Sequence, residues 1–113
     1  MSEVKQSQVL AAGALLQALG VALKRAPNLR LETLIIFLAV CVNEGIGVKD
    51  LVYICGLSDS MVSRAVDSLC GPDGLLTVVR HATDGRRRLV YLSDRGTALQ
   101  QEIREILAQI AEA

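Results

Sequence analysis

The sequence is poor in aromatic residues and in histidine. Its 113 residues include one Phe, two Tyr, no Trp and one histidine, His81. Because ligand pockets are lined mainly by apolar and aromatic side chains, an aromatic-lined pocket is poorly supplied. The one histidine lies in a predicted strand of a basic hairpin, so neither a histidine-based triad nor a two-histidine metal site is available, and the carboxylates are scattered over predicted helix surfaces. We therefore expect no enzyme, no metal and no cofactor.

Cysteine is scarce and its spacing is uninformative. Cys41, Cys55 and Cys70 are odd in number and lie inside helical patterns, without a CxxC pair or a nearby His-x-His. Neither a disulfide framework nor a zinc site is implied. Two interpretations stay open: small buried hydrophobic residues, which we favour, and a redox sensor, for which Cys70 at a helix end is the candidate.

Long apolar runs are also missing. The longest, Leu34 to Val42, is far shorter than the roughly 20 residues of a membrane-spanning helix. The N-terminus lacks the basic and then apolar pattern of a signal peptide. We expect a cytoplasmic protein with no membrane partner.

The chain has no excess of charge of either sign, with twelve basic and twelve acidic residues. The strong positive bias of many nucleic-acid binders is therefore absent. The distribution is uneven, however: residues 1–31 carry four basic residues against one acidic, and residues 75–95 carry five against two. Positive charge is placed at the N-terminal region and in the 75–95 segment.

A hydrophobic content of 51% is ample for the core of one domain, which we place at residues 1–113. Ser7 to Lys24 predicts a helix that is apolar on more than one face, so it has more surface to bury than one core covers. We infer that it packs on a second copy of the chain as well as on its own domain. Leu31 to Asn43 predicts a central core helix, and a short strand at 46–48 follows its break. Five apolar residues of this helix are at helical spacing, Leu31, Leu34, Ile35, Leu38 and Val42, and five more fill most of the opposite side, Ile36, Phe37, Ala39, Val40 and Cys41.

Two short helical patterns come next. Lys49 to Cys55 predicts a helix, Gly56 gives a tight turn, and Ser58 is the N-cap of the second helix. Val62, Val66 and Leu69 fall at i, i+4 and i+7 and face the core. The exposed side is small and polar, as a helix that reads the major groove requires.

A basic hairpin follows this pair of helices. Leu75 to Arg80 and Arg88 to Leu92 predict two strands joined by a tip at residues 83–85. Three consecutive arginines near a tip cannot all be buried, and an arginine projecting from a hairpin suits the DNA minor groove. Asp84 is expected to hold an arginine in position, and His81 to be a strand residue that touches phosphate.

Ser93 caps a final helix. Its apolar residues recur at +4, +3 and +4, which is an a/d seam that needs a partner. The seam consists of Leu99, Ile103, Ile106 and Ile110.

The segment Leu51 to Gly96 resembles the MarR (multiple antibiotic resistance regulator) family of winged-helix repressors. The resemblance is carried by residues 57–69, LSDSMVSRAVDSL, by Gly74-Leu75, and by Asp84-Gly85-Arg86 followed by residues 89–96, LVYLSDRG. It implies a homodimer built by the terminal helices, with the second helix of each helix-turn-helix in the major groove and the wing in the minor groove. Gly85 stands where the family often has arginine. Because the chain is short for the family and poor in aromatics, we do not expect a small-molecule effector.

The predicted fold is mainly α with a small β-hairpin wing (α+β), a winged helix-turn-helix flanked by dimerisation helices. Residues 1–26 and 93–113 form the dimerisation helices and residues 30–92 the winged core. The predicted function is a dimeric, sequence-specific regulator, a repressor on a pseudo-palindrome in double-stranded DNA and hence nucleoid-associated. The alternative is a protein-interaction module or accessory factor with weak, non-specific DNA binding, favoured by the neutral net charge.

The candidate residues fall into three sets. The recognition-helix set is Ser58, Asp59, Ser60, Met61, Ser63 and Arg64, with Lys49 as a further backbone contact. The wing set is Arg80, His81, Asp84, Arg86, Arg87 and Arg88. The dimer set is Val9, Leu16, Leu19, Leu23, Leu99, Ile103, Ile106 and Ile110.

Overall fold

A computed structural model describes the backbone of residues 3–112 and the side chains of residues 3–109. The described chain forms five helices and a three-stranded antiparallel sheet. The helices are α1 (Glu3–Arg25), α2 (Leu31–Val42), α3 (Val48–Cys55), α4 (Asp59–Leu69) and α5 (Asp94–Glu112). The strands are β1 (Ile46–Gly47), β2 (Leu76–Arg80) and β3 (Arg88–Leu92). Every predicted helix and strand is present, and α1 begins at Glu3 rather than at Ser7.

The chain divides into two compact units, residues 1–29 with 98–113 and residues 30–97. The first unit holds α1 and most of α5, and an ion pair joins Arg25 of α1 to Glu102 of α5. The second unit holds α2, α3, α4, the sheet and the start of α5. The division of the chain into one domain with three segments stays a prediction.

The core of the 30–97 unit is built where α2, α3 and α4 contact one another and β3. Its fully buried side chains include Phe37 of α2, Leu51 of α3 and Val90 of β3. The predicted inward residues of α4, Val62, Val66 and Leu69, are all buried. Burying each such side chain stabilises the fold by about 1.5–3 kcal/mol before conformational entropy is counted.

The sheet has the order β1-β3-β2. β2 and β3 form the hairpin, with Val78 opposite Val90 and Arg80 opposite Arg88. The short strand β1 pairs with β3 through Ile46 and Val90. Because β1 leads directly into α3, this pairing anchors the start of the helix-turn-helix to the base of the hairpin.

Helix α2 lies in the core as predicted, but only one of its apolar sides is buried. Its buried residues are Thr33, Ile36, Phe37 and Val40, whereas much of the apolar stripe at helical spacing lies exposed. Leu31, Ile35, Leu38 and Val42 keep 72%, 36%, 41% and 78% of their surface exposed. A helix that is apolar all round gives no periodic signal for which face is buried, and α3 and α4 cover the Phe37 side.

Helix α1 presents large apolar side chains to the outside. Its buried residues are three alanines, Ala14, Ala18 and Ala22. By length and composition α1 is also long and apolar enough to cross a membrane, although the apolar runs of the sequence suggested no span. A helix that covers its apolar side with another protein surface has the same composition. The expected absence of a membrane partner therefore stays a prediction.

Candidate nucleic-acid interface

The start of α4 is fixed by a turn and a cap. Gly56 ends α3 in the left-handed conformation at a φ of 66°, which suits glycine because it has no Cβ. The Ser58 hydroxyl then accepts a hydrogen bond from the Met61 backbone N–H at 3.2 Å, as its predicted N-cap role requires. The reversal between the helices and the first turn of α4 are thus set by local chemistry.

The predicted recognition residues lie along one side of α4. Ser58, Asp59, Ser60, Met61 and Arg64 are exposed and Ser63 is half-buried. The Arg64 Nε donates to the Ser60 carbonyl at 3.2 Å, and the Ser58 and Ser60 hydroxyls are 3.2 Å apart. These contacts hold the guanidinium against the first turn and leave a short-chained polar surface of the kind that enters a groove.

The wing tip projects one arginine. The Arg86 side chain is 98% exposed, and its Nε lies 3.9 Å from Asp84 Oδ1. The same carboxylate oxygen accepts the Arg86 backbone N–H at 3.1 Å. Arg80 braces the other side of the tip by donating from Nη1 to the Gly85 carbonyl at 2.7 Å. Asp84 therefore sits beside the base of Arg86 and orients it.

His81 turns into the wing tip. Its Nδ1 accepts the Thr83 and Asp84 backbone N–H groups at 3.2 and 3.1 Å, and the Thr83 hydroxyl lies 3.1 Å from the same nitrogen. The His81 backbone N–H donates to the Arg87 carbonyl at 2.8 Å. His81 was predicted as a strand residue, but β2 ends at Arg80 and His81 lies one residue beyond it. Its Nδ1 faces the backbone of the tip, and a contact of the ring with phosphate stays a prediction.

The other two arginines of the run face carboxylates of the helix-turn-helix. Arg87 Nη2 lies 3.9 Å from Asp50 Oδ2 of α3, and Arg88 Nη1 lies 3.7 Å from Asp67 Oδ1 of α4. Neither aspartate could be assigned to the site from the sequence, because residues so far apart along the chain show no pairing signal. Both pairs link the wing to the helices that carry the candidate reader surface.

A cleft of about 590 Å³ opens between the wing and the start of α3. Four cationic side chains, Lys49, Arg86, Arg87 and Arg88, share its lining with Asp50 and Asp84. Lys49, predicted as a backbone contact, is thereby brought together with the wing arginines. The surplus of positive charge over the two carboxylates makes the cleft suitable for an anionic group such as a phosphate.

Burial raises the pKa of all three thiols. Cys41 is affected most: burial, with a further contribution from Glu44, raises its pKa to about 11. Burial raises the pKa of Cys55, and burial and then Asp67 raise that of Cys70 against the opposing effect of Arg88. Because the thiolate is the reactive form, these shifts favour inert cysteines over the redox sensor.

The predicted dimer residues differ in exposure. Val9, Leu16, Leu19 and Leu23 of α1 keep 59%, 73%, 41% and 54% of their surface exposed. In α5, Leu99 is fully buried within one chain, Ile103 and Ile106 are half-buried, and the Ile110 side chain lies outside the described residues. The exposed stripe of α2, Leu31, Ile35, Leu38 and Val42, is an apolar surface, although the sequence predicted this helix to lie in the core.

Comparison with known proteins gives a match at the level of structure. No family model and no curated protein matches the sequence. The PcaV transcriptional regulator from Streptomyces coelicolor, solved with its natural ligand, is 25% identical with a TM-score of 0.62, over 90% of this chain and 73% of that one. Bordetella bronchiseptica BpsR is 22% identical with a TM-score of 0.61, over 95% and 82%. A MarR regulator from Methanosarcina mazei is 17% identical with a TM-score of 0.67, over 96% and 76%.

These similarities confirm the predicted α+β winged-helix fold and the resemblance to MarR regulators. The neighbours are transcriptional regulators, which are not enzymes, in agreement with the expectation of no catalytic activity. The expectation that no small molecule acts on the chain loses its support, because PcaV was solved with a ligand and 6-hydroxynicotinic acid regulates DNA binding by BpsR.

Proposed function

We propose that this chain, which has a MarR-like winged-helix fold, is a DNA-binding transcriptional regulator that represses as a homodimer on a pseudo-palindromic site. One observation carries the proposal. The capped, polar side of α4 and an arginine-tipped wing belong to the same compact unit, residues 30–97, and the wing is tied to α3 and α4 by the Arg87–Asp50 and Arg88–Asp67 pairs. A reader helix and a wing need such a fixed relation to engage neighbouring grooves.

In this proposal α4 enters the major groove. Ser60, Met61, Ser63 and Arg64 then meet base edges or adjacent phosphates, with Ser58 and Asp59 at the start of the helix. Arg86 enters the minor groove, where narrow A·T segments concentrate negative potential. The cleft lined by Lys49 and the wing arginines takes a backbone phosphate, which fixes the register of the protein on the duplex.

The homodimer is supported by apolar surface that one chain leaves uncovered. Leu16 and Leu23 of α1 and Leu31 and Val42 of α2 each expose more than half of their surface. Large exposed apolar surfaces mark interaction sites in soluble proteins. A twofold dimer also presents two copies of α4, which matches the symmetry of a palindromic site.

Fluorescence anisotropy tests the proposal on DNA. The duplex upstream of the chain's own gene is compared with a shuffled duplex of equal composition at two salt concentrations. A preference of roughly a thousandfold supports a sequence-specific regulator. Arg86→Ala should weaken binding and reduce the salt slope by about 0.9, whereas Arg104→Ala, which removes an exposed charge of α5, should leave both unchanged. Equal, weak binding to both duplexes would contradict the proposal.

Sedimentation velocity tests the dimer. Leu16→Glu places a charge on a residue that is 73% exposed in one chain, so it should leave folding intact and produce monomers. Gln17→Glu adds the same charge at the adjacent exposed position and is the matched control. A wild-type monomer that sediments with lipid vesicles would instead assign the apolar side of α1 to a membrane.

The alternative is a protein-interaction module with weak DNA binding. It is favoured by the neutral net charge and by Asp59 and Asp67, two exposed carboxylates of α4. Such a protein binds both duplexes weakly and equally in the anisotropy experiment. A promoter fusion then separates repression from activation, because a repressor that occupies its operator lowers reporter expression.

A further inference from the structure

We propose that His81 is the positioning residue of the wing tip, and that protonation of its ring releases the tip and weakens the hold of Arg86 on DNA. The proposal rests on the proposed function for its consequence at DNA, but its structural part concerns the free protein alone. His81 is the only histidine in the chain. Three polar groups of the tip lie within hydrogen-bonding distance of its Nδ1, the Thr83 and Asp84 backbone N–H groups and the Thr83 hydroxyl.

The geometry requires an unprotonated Nδ1. Two backbone N–H groups, of Thr83 and Asp84, point at this nitrogen from 3.2 and 3.1 Å. A backbone N–H is only a donor, so Nδ1 must supply a lone pair, and the neutral ring must carry its hydrogen on Nε2. Protonation puts a hydrogen on Nδ1 that faces both backbone donors, and of the three neighbouring groups only the Thr83 hydroxyl, 3.1 Å away, can accept it. The two bonds that close the turn are then lost together.

The turn held by His81 also carries the support of Arg86. The Asp84 N–H that binds His81 belongs to the residue whose carboxylate accepts the Arg86 N–H at 3.1 Å. The Asp84 carbonyl accepts the Arg87 N–H at 3.0 Å. Release of residues 83 and 84 therefore makes the backbone and side chain of Arg86 more mobile. A mobile arginine loses more conformational entropy when it enters the groove, which weakens binding.

The other charged groups of the wing tip are of types that ordinarily keep one charge state near neutral pH. The Asp84 carboxylate lies on the tip itself, and the Arg80, Arg86 and Arg87 guanidinium groups come from the tip and its flanking strands. Carboxylates ordinarily titrate near pH 4 and arginine keeps its charge. Between about pH 8 and pH 5, histidine is the side chain that ordinarily gains a proton.

The first test uses the free protein. Amide resonances of Thr83, Asp84 and Arg86 are followed by NMR from about pH 8 to about pH 5, with the His81 ring resonances as reference. The proposal expects the three amides to shift together with the ring. In His81→Asn, the side-chain carbonyl offers an acceptor near the position of Nδ1 but does not titrate, so the amides should keep their neutral positions. His81→Phe lacks an acceptor and should show the released tip at every pH.

The second test measures affinity for the upstream duplex over the same pH interval. Relative to His81→Asn, the wild type should lose about five- to tenfold in affinity on acidification, the effect of about one lost hydrogen bond. A wild-type affinity that rises relative to His81→Asn would overturn the proposal, because it would make the ring a phosphate contact. The proposal would also be overturned if the three amide resonances did not change with pH when the His81 ring resonances did. If the amide resonances shift with the ring resonances but the protein binds no duplex, the positioning role of His81 stands and the proposed function is contradicted.

Discussion

The Arg88 guanidinium of the wing lies 3.7 Å from the Asp67 carboxylate of α4. The pair joins the two elements that the proposed function places on DNA. It is open to solvent, since Asp67 keeps 66% of its side chain exposed, so its contribution to stability is small. Its larger effect is on charge, because Asp67 offsets the charge of an arginine at the surface that the proposed function places against phosphates.

Asp67→Asn should therefore strengthen DNA binding. The change removes a negative charge from the surface and frees Arg88, so we expect affinity to rise about two- to fivefold and the salt slope to steepen by up to about 0.9. Anisotropy titrations at several salt concentrations measure both quantities.

The matched control for this change is Asp73→Asn. Asp73 also pairs with an arginine, Arg95, at 3.3 Å, but it lies in the turn after α4 and outside the candidate interface. Its substitution should leave affinity and slope unchanged. An equal gain from both substitutions would show that Asp67 acts only through net charge.

The sequence predicted the reader helix well and the apolar helices less well, for a physical reason. In α4, polar and apolar residues alternate at helical spacing, so Val62 and Val66 could be assigned to the core and Ser58 to the cap. In α2 every face is apolar, and only the packing of neighbouring helices decides that Phe37 is buried while Val42 is exposed.

In the wing, the strands could be predicted from the sequence, but individual side-chain contacts could not. Its strands and tip follow from β-branched residues and the Asp84-Gly85 turn. The inward orientation of the His81 ring and the pairing of Arg87 with Asp50 depend on how the folded chain is arranged in space. Nothing in the local sequence distinguishes a histidine that binds phosphate from one that closes a turn.

Gly96 of α5 should tolerate no side chain. A Cβ built there would lie 2.1 Å from the Leu75 carbonyl oxygen, a backbone atom that cannot give way cheaply. Gly96→Ala should therefore destabilise the fold by at least about 2 kcal/mol in urea unfolding. Gly85→Ala is the control, because a Cβ at the wing tip meets nothing within 4 Å. Equal stability of the two variants would contradict the close approach of α5 to the turn before β2.

Ser58 should separate stability from DNA binding. Ser58→Ala removes the acceptor for the Met61 N–H and should cost about 1 kcal/mol in urea unfolding. Ser58→Asp keeps an acceptor and should retain stability, but its charge at the proposed groove surface should lower DNA affinity. Ser68→Ala, in the same helix, removes a hydroxyl that only donates to the Ala65 carbonyl, so it should be close to neutral in both measurements. A stable Ser58→Ala variant would show that the cap is dispensable.

Cys41 should make the fold sensitive to alkaline pH. Burial, and then Glu44, raises the pKa of its thiol from 9.0 to about 11, so the folded chain holds this proton more tightly than the unfolded chain does. The associated stability is present in full below pH 9 and is lost as pH rises through about 11. Denaturant unfolding of the wild type and Cys41→Ala across this interval isolates the effect, because all the other titratable groups are the same in both proteins. Since the thiol is only half-buried, we expect the wild type to lose about 1–2 kcal/mol more than the variant, and parallel curves for the two proteins would show that Cys41 titrates normally.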